Sequence, residues 1–330
     1  MTERLSKKII SIICALACLT GIISLCACAP QKNSGALTVN GIEIGNDVFT
    51  YFIDCALTEL GAGAEDKVLT KRAAELASLY FKKNSLAYSE GISLTSAQKA
   101  AVSERVNAHW GIYGEYFSKL GITKETLTKV FTADSYRDAL LLSHYGEGGK
   151  DEISTARLYA AFRTNYIVFQ SINGYFTYVD GNGLTQSFDE NQKEALILKF
   201  QNMASLVNQG EKTLEEAAEF LAESGYTGSV ATVILKKDDT SYPPGFFDKV
   251  QSIDARTATV VGTADYIFLV VRGDAGAKSE YFLDKREEII KDIAGEDIDK
   301  EIEASLETEY TLSKTDTQAI VMLVRQEKEG

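Results

Sequence analysis

Tyr166-Ile167-Val168-Phe169-Gln170-Ser171-Ile172 is the stretch on which the reading of the fold turns. Its β-branched and aromatic residues suit a pleated strand, and it follows five segments of helical periodicity. A run of helices that gives way to strands reads as α+β. Working back from it, a helix capped at Ser154 runs to about Asn165, and Gly146-Glu147-Gly148-Gly149 is the clearest boundary in the chain. Helices are expected over roughly 124–145, 96–120 and 65–89. Gly121-Ile122-Thr123 and Gly91-Ile92-Ser93-Leu94-Thr95 each end one helix and cap the next. Val48, Phe49, Phe52, Ile53, Ala56, Leu57 and Leu60 keep one apolar stripe on a helix that Asn46 can cap. Before it, Leu37-Thr38-Val39 and Ile42-Glu43-Ile44 flank Asn40-Gly41, a strong hairpin signal.

Working forward, residues 173–188 are rich in Gly, Asn and Asp, with Asp180-Gly181-Asn182-Gly183 a turn. That turn has a calcium-loop flavour but lacks the later bidentate Glu. Helices are expected over 189–209 and 212–223, a strand over Ser229–Leu235, and a loop at Tyr242-Pro243-Pro244-Gly245. A short helix at Phe246–Ile253 and an apolar strand at Tyr266–Arg272 follow. The chain is expected to close with a long helix, about Lys278–Thr308, and an extended tail at Ala319–Val324. The organisation expected is a helical lobe over 37–165, a small α+β domain over 166–272, and a helix and tail over 273–330.

Composition narrows the function. The 330 residues suit two or three compact units. The net charge of -13 disfavours nucleic acid and anionic lipid as direct ligands. Of five cysteines, three (Cys14, Cys18, Cys26) precede Cys28, and only Cys55 follows it. No disulfide framework or CxxC metal site is expected beyond Cys28, and the two histidines, His109 and His144, exclude a His-rich metal cluster. No P-loop or dinucleotide glycine pattern is present, so neither cofactor nor metal is expected.

Residues 1–8 are cationic and residues 9–27 apolar, the layout of a signal peptide. Leu25-Cys26-Ala27-Cys28 looks like a bacterial lipobox, which makes Cys28 the expected site of lipidation, residues 1–27 a cleaved leader and 28–36 a short tether. The alternative is an uncleaved anchor helix. Both place the remainder outside the membrane, anchored on the extracytoplasmic face.

Several motifs together resemble the SurA/PrsA-type secreted foldases, helical chaperone lobes with an inserted parvulin-type peptidyl-prolyl isomerase domain. They are Val39-Asn40-Gly41-Ile42-Glu43-Ile44 with Phe49, then Glu90-Gly91-Ile92-Ser93-Leu94-Thr95, Leu120-Gly121-Ile122-Thr123 and Ile153-Ser154 with Tyr159 and Tyr166. Gln209-Gly210-Glu211-Lys212-Thr213-Leu214-Glu215-Glu216-Ala217-Ala218 resembles a parvulin helix start. Gly262-Thr263-Ala264-Asp265-Tyr266-Ile267-Phe268-Leu269-Val270-Val271 resembles the closing parvulin strand. The resemblance spans most of 37–320. It implies a chaperone or foldase whose partners are unfolded or extended segments of exported proteins.

The chain departs from the parvulin pattern where catalysis would sit. The family's site faces two histidines across its sheet, and both histidines here precede residue 150. Tyr266 stands at the closing histidine's place, with Gln170 and Ser171 near the other. Tyr266 and Gln170 are therefore the candidate polar pair, and Phe246, Phe247 and Leu214 the candidate client or proline pocket. Isomerase activity is expected to be weak or absent. An active isomerase with a rewired site and a non-foldase surface binding lipoprotein are the rivals. His109-Trp110 among Tyr113, Tyr116 and Phe117 reads either as a client groove or as lobe core. Glu215-Glu216 and Glu287-Glu288 read as solvated helix faces.

Overall fold

The structure, a computed structural model, describes residues 35–222 and 230–329. The chain is α+β. It divides into two compact units, one running to Glu152 and resuming at Ile290, the other Ile153–Ile289.

The first unit opens with strands β1 (Leu37–Val39) and β2 (Ile42–Ile44). Asn40 (φ 50°) and Gly41 (φ 76°) both take left-handed backbone, as the tight hairpin turn requires. A third strand, β9 (Tyr310–Leu312), pairs antiparallel with β1, giving the order β2-β1-β9. Asn40 ties this sheet together across a long sequence gap. Its amide N–H donates to the Glu309 carbonyl at 2.8 Å, and its side-chain oxygen accepts from the Glu309 N–H at 2.8 Å.

Four helices follow: α1 (Asn46–Leu60), α2 (Asp66–Ser89), α3 (Ser96–Lys119) and α4 (Lys124–Tyr145). The expected cap at Asn46 is not made. Gly45 precedes the helix without a side-chain cap, and the Asn46 Oδ1 accepts from the Ala36 N–H at 2.8 Å instead. Thr95 and Thr123 do cap α3 and α4, each in a reciprocal capping box with the residue three positions on. Phe49, Ile53, Leu69, Ala73, Phe117, Leu127 and Phe131 form the core, buried because their spacing puts them on one helical face.

The C-terminal part differs from the sequence expectation. The long helix is α9 (Glu280–Ala304), of which 290–304 lie in this unit. Ala319–Val324 is not an extended tail but the middle of α10 (Lys314–Glu329), with Val321 and Val324 buried in the core. Ile320, Val321, Leu323 and Val324 follow the helical spacing that places them along one stripe.

The second unit starts with α5 (Thr155–Asn165), which Ser154 caps through the Arg157 N–H. It leads into β3 (Tyr166–Tyr175) and a small hairpin of β4 (Thr177–Val179) and β5 (Thr185–Ser187). Next come α6 (Glu190–Asn208), α7 (Leu214–Ala222), β6 (Thr232–Lys236), α8 (Phe246–Gln251), β7 (Ala258–Gly262) and β8 (Tyr266–Arg272). Strands β6-β3-β8-β7 form one antiparallel sheet in that order.

Because strand side chains alternate between faces, the sheet separates two cores. On one face Ile172, Ile267 and Leu269 pack under α6 and α7 with Phe200, Met203, Leu214 and Leu221. On the other, Ile167, Phe169, Phe268 and Val270 pack under α8 with Phe246, Phe247 and Val250. Gly174 permits the close approach of α6, since a Cβ there would stand 2.8 Å from both the Phe200 ring and the Ile267 side chain.

Candidate functional site

The residues singled out in the sequence are split between the two faces. Leu214, the first residue of α7, is buried in the core beneath α6 and α7, whereas Phe246 and Phe247 belong to the α8 face. Gln170 is in phase with Ile172, on the α7 side, and Tyr266 is in phase with Phe268, on the α8 side. Their positions along the sheet also differ, with Gln170 opposite Val271 and Tyr266 opposite Tyr175. The proposed Tyr266–Gln170 pair does not form, because a strand of period two sends the two side chains to opposite faces. Ser171, one residue on, is the polar group on the Tyr266 face.

On that face the aromatic rings form a continuous row. Tyr242 stacks on Phe246 at 4.6 Å between ring centroids, and Phe246 meets Phe268 edge-on at 4.7 Å. Tyr266 stacks on Phe268 at 6.1 Å and meets Tyr175 edge-on at 5.4 Å. Phe169 closes the inner end, 5.4 Å from both Tyr242 and Phe246. Edge-on and offset contacts of this kind align the electron-poor ring edges with electron-rich faces.

The row runs from core to solvent. Phe246 is fully buried and Phe247 nearly so; Tyr242 and Tyr266 are half-buried, and Tyr175 is 46% exposed. Phe246 thus has no surface to offer a client, and the accessible members are Tyr242, Tyr266 and Tyr175. Beside them the Ser171 hydroxyl lies 3.1 Å from the Asn173 side-chain oxygen. Burial raises the Tyr242 phenol above its usual range, and a hydrogen bond with Ser171 works against that rise.

The hairpin that follows Tyr175 exposes apolar side chains of its own, and its Tyr178 ring stands 5.8 Å from Phe188, a residue of the α6 and α7 face. Tyr178 is 43% exposed, Val179 68% and Leu184 61%. Its turn is held from within. One oxygen of the Asp180 carboxylate accepts from the Asn182 and Leu184 N–H groups and the other from Gln186. These bonds hold the Asp180 carboxyl below the usual range, the Leu184 N–H contributing most. This is a self-contained turn in which the carboxylate is already engaged.

Sequence reasoning missed Tyr175 and Tyr242. Tyr175 shares the period-two phase of Phe169 and Ser171, which was the available signal. Tyr242 sat in a segment read only as a proline loop. In the first unit, Trp110 and Tyr116 pack against the core, and the His109 ring stands edge-on 5.0 Å from Phe131. Ile112 and Tyr113 remain outside. Cys28, the expected lipidation site, lies outside the described residues. Among the described residues no helix is long and apolar enough to cross a membrane.

The aromatic shelf can hold apolar and planar groups by contact, and its hydroxyls and amide can bond a main chain. It contains no imidazole, since neither histidine lies in the second unit.

No protein-family model and no curated protein matches the chain. Solved structures similar to it include two foldase proteins. The foldase protein PrsA from Streptococcus pneumoniae aligns at 14% identity and a TM-score of 0.37, covering 83% of this chain and 88% of that one. The foldase protein PrsA from Lactococcus lactis aligns at 14% identity and a TM-score of 0.40, covering 89% of this chain and 99% of that one.

Proposed function

We propose that this chain is a membrane-anchored extracytoplasmic lipoprotein that holds extended segments of exported proteins and assists their folding, with weak or absent peptidyl-prolyl isomerase activity. The observation that carries the reading is the aromatic row of the second unit, which ends in exposed Tyr175, together with exposed Tyr178, Val179 and Leu184 on the hairpin that follows it in sequence. Exposed apolar side chains gathered within one hairpin mark a contact surface. Tyrosine anchors suit it, because they bury much area with few torsions to freeze.

Isomerisation of a prolyl bond crosses a barrier of roughly 20 kcal/mol without a covalent intermediate. A pocket must desolvate and twist the imide to lower it. Here Tyr242 covers Phe246, and the ring that would receive proline is already packed. That favours holding over catalysis. The anchor rests on Leu25-Cys26-Ala27-Cys28, and the acidic charge keeps such a protein from adhering to an anionic envelope.

The test uses the chain from Ala29 onward in two assays, suppression of aggregation of a reduced, unfolded protein and isomerisation of a proline tetrapeptide. The first is expected to respond in proportion to the amount of chain added, and the second to match buffer. No effect in the first removes the folding-helper reading. Catalysis that disappears in Tyr266→Phe would establish the rewired isomerase instead. For the anchor, the full chain is expected in the membrane fraction and Cys28→Ala outside it. An unchanged distribution would contradict lipidation.

A further inference from the structure

We infer that β7 is a strand-addition edge for an extended polypeptide segment, held closed in the free protein by Asn208 and Lys249. The inference rests on the client-binding reading above but uses a different surface. Strand β7 is an outer strand of the sheet, bonded to β8 on one side only. The Thr263 N–H donates to the Tyr266 carbonyl at 2.8 Å, which fixes which residues bond inward. With Ala258 opposite Val271 and Gly262 opposite Ile267, the main-chain groups of Ala258, Val260 and Gly262 point away from the sheet.

Two of those three rungs are occupied by side chains. The Ala258 N–H donates to the Asn208 Oδ1 at 2.8 Å, and the Asn208 Nδ2 donates to the Ala258 carbonyl at 2.8 Å. A carboxamide carries the same donor and acceptor as a peptide bond, so Asn208 bonds Ala258 as a residue of a paired strand would. At the other end Lys249 Nζ donates to the Gly262 carbonyl at 2.7 Å. Among the described residues none bonds the main chain of Val260, which lies between them.

An open trough of about 470 Å³ runs along this edge. Gln201, Ala204, Ser205 and Asn208 of α6 with Gln209 just beyond it line one side, and Ala258, Thr259 and Val260 the other. Its lining is uncharged, with polar side chains interleaved with Ala204, Ala258 and Val260, which suits an extended main chain with small side chains rather than a charged ligand. A short outer strand closed by a lysine and a side-chain amide is also how folded proteins keep such edges from pairing indiscriminately. An extended segment displaces both closures and gains the Val260 rung.

The test measures binding of a fluorescein-labelled, end-blocked octapeptide of alternating threonine and valine to the chain from Ala29 onward by anisotropy. Asn208→Ala and Lys249→Ala are each expected to tighten binding several-fold. Val260→Pro removes an outward N–H that the ladder does not use and is expected to abolish binding. Because Asn208→Ala can also destabilise the unit, Val260→Pro and Lys249→Ala decide the matter. Binding unchanged in Val260→Pro, or absent from every variant, overturns the inference. If aggregation suppression fails while this pattern holds, the folding-helper reading falls and the edge stands. If suppression holds without the pattern, the edge falls alone.

Discussion

Phe246 and Tyr266 share one aromatic row but are expected to answer mutation differently. Phe246 is fully buried between Tyr242 and Phe268, so Phe246→Ala leaves a cavity whose cost is typically about 3–5 kcal/mol. Urea unfolding followed by tyrosine fluorescence should show a lower midpoint, and lost client binding in that variant reports unfolding. Tyr266→Ser removes a half-buried ring at the open end of the row and should leave the midpoint close to wild type. Equal midpoints for Phe246→Ala and wild type would contradict the packing described. The sequence flagged Phe246, Phe247 and Tyr266 as one site by order along the chain. It could not tell which of them faced solvent, because that depends on Tyr242 folding back over Phe246 from a proline-bearing loop.

Pairing between elements carries much of the first unit's specificity: α9 buries Ile290, Ala294, Ile298 and Ile302, and charged bonds tie its flank to α4. Arg137 bonds both oxygens of Asp299, at 2.7 and 2.8 Å, and Lys291 reaches Asp138 at 2.7 Å. Glu301 gathers Lys150 and the Tyr145 hydroxyl and lies 3.0 Å from a ring nitrogen of His144. Burial alone would raise the Glu301 carboxyl, but the bonds from Tyr145 and Lys150 outweigh it and hold the carboxyl below its usual range. A carboxyl lowered in the folded state contributes stability above its unfolded value, about 4.3 for Glu, and loses it as pH falls through the folded value. Glu301→Gln should therefore be less stable than wild type at neutral pH, with the two converging as pH falls through the lowered folded-state value of the Glu301 carboxyl. Urea melts across that range check this, and a gap that persists at the acid end would contradict it.

Legibility in the sequence followed how local each element's cause is. The Asn40-Gly41 turn and the boxes at Thr95 and Thr123 depend on neighbours within a few residues, and were readable. Strand β7 was missed, because Ala258-Thr259-Val260-Val261 is short and becomes a strand only by pairing with β8. Ala319–Val324 was misread because a brief apolar run fits either period until its partner is known. Its partner is the core of α1 and α2, far away in sequence.

Across the whole chain, the exposed aromatic surface of the second unit is the one proposed to hold unfolded polypeptide. A tether through Cys28 would place that surface where exported chains emerge, and an acidic body would leave hydrophobic contact as the main attraction. Tyr175, Tyr178 and Val179 are the residues to change, since each has a substantial exposed surface and none belongs to the buried core. The direct measurement is aggregation suppression by the triple variant Tyr175→Ser, Tyr178→Ser, Val179→Ser beside wild type, with both shown to unfold at the same urea concentration. The variant is expected to lose most of its protective effect. Full protection by a folded variant would contradict it.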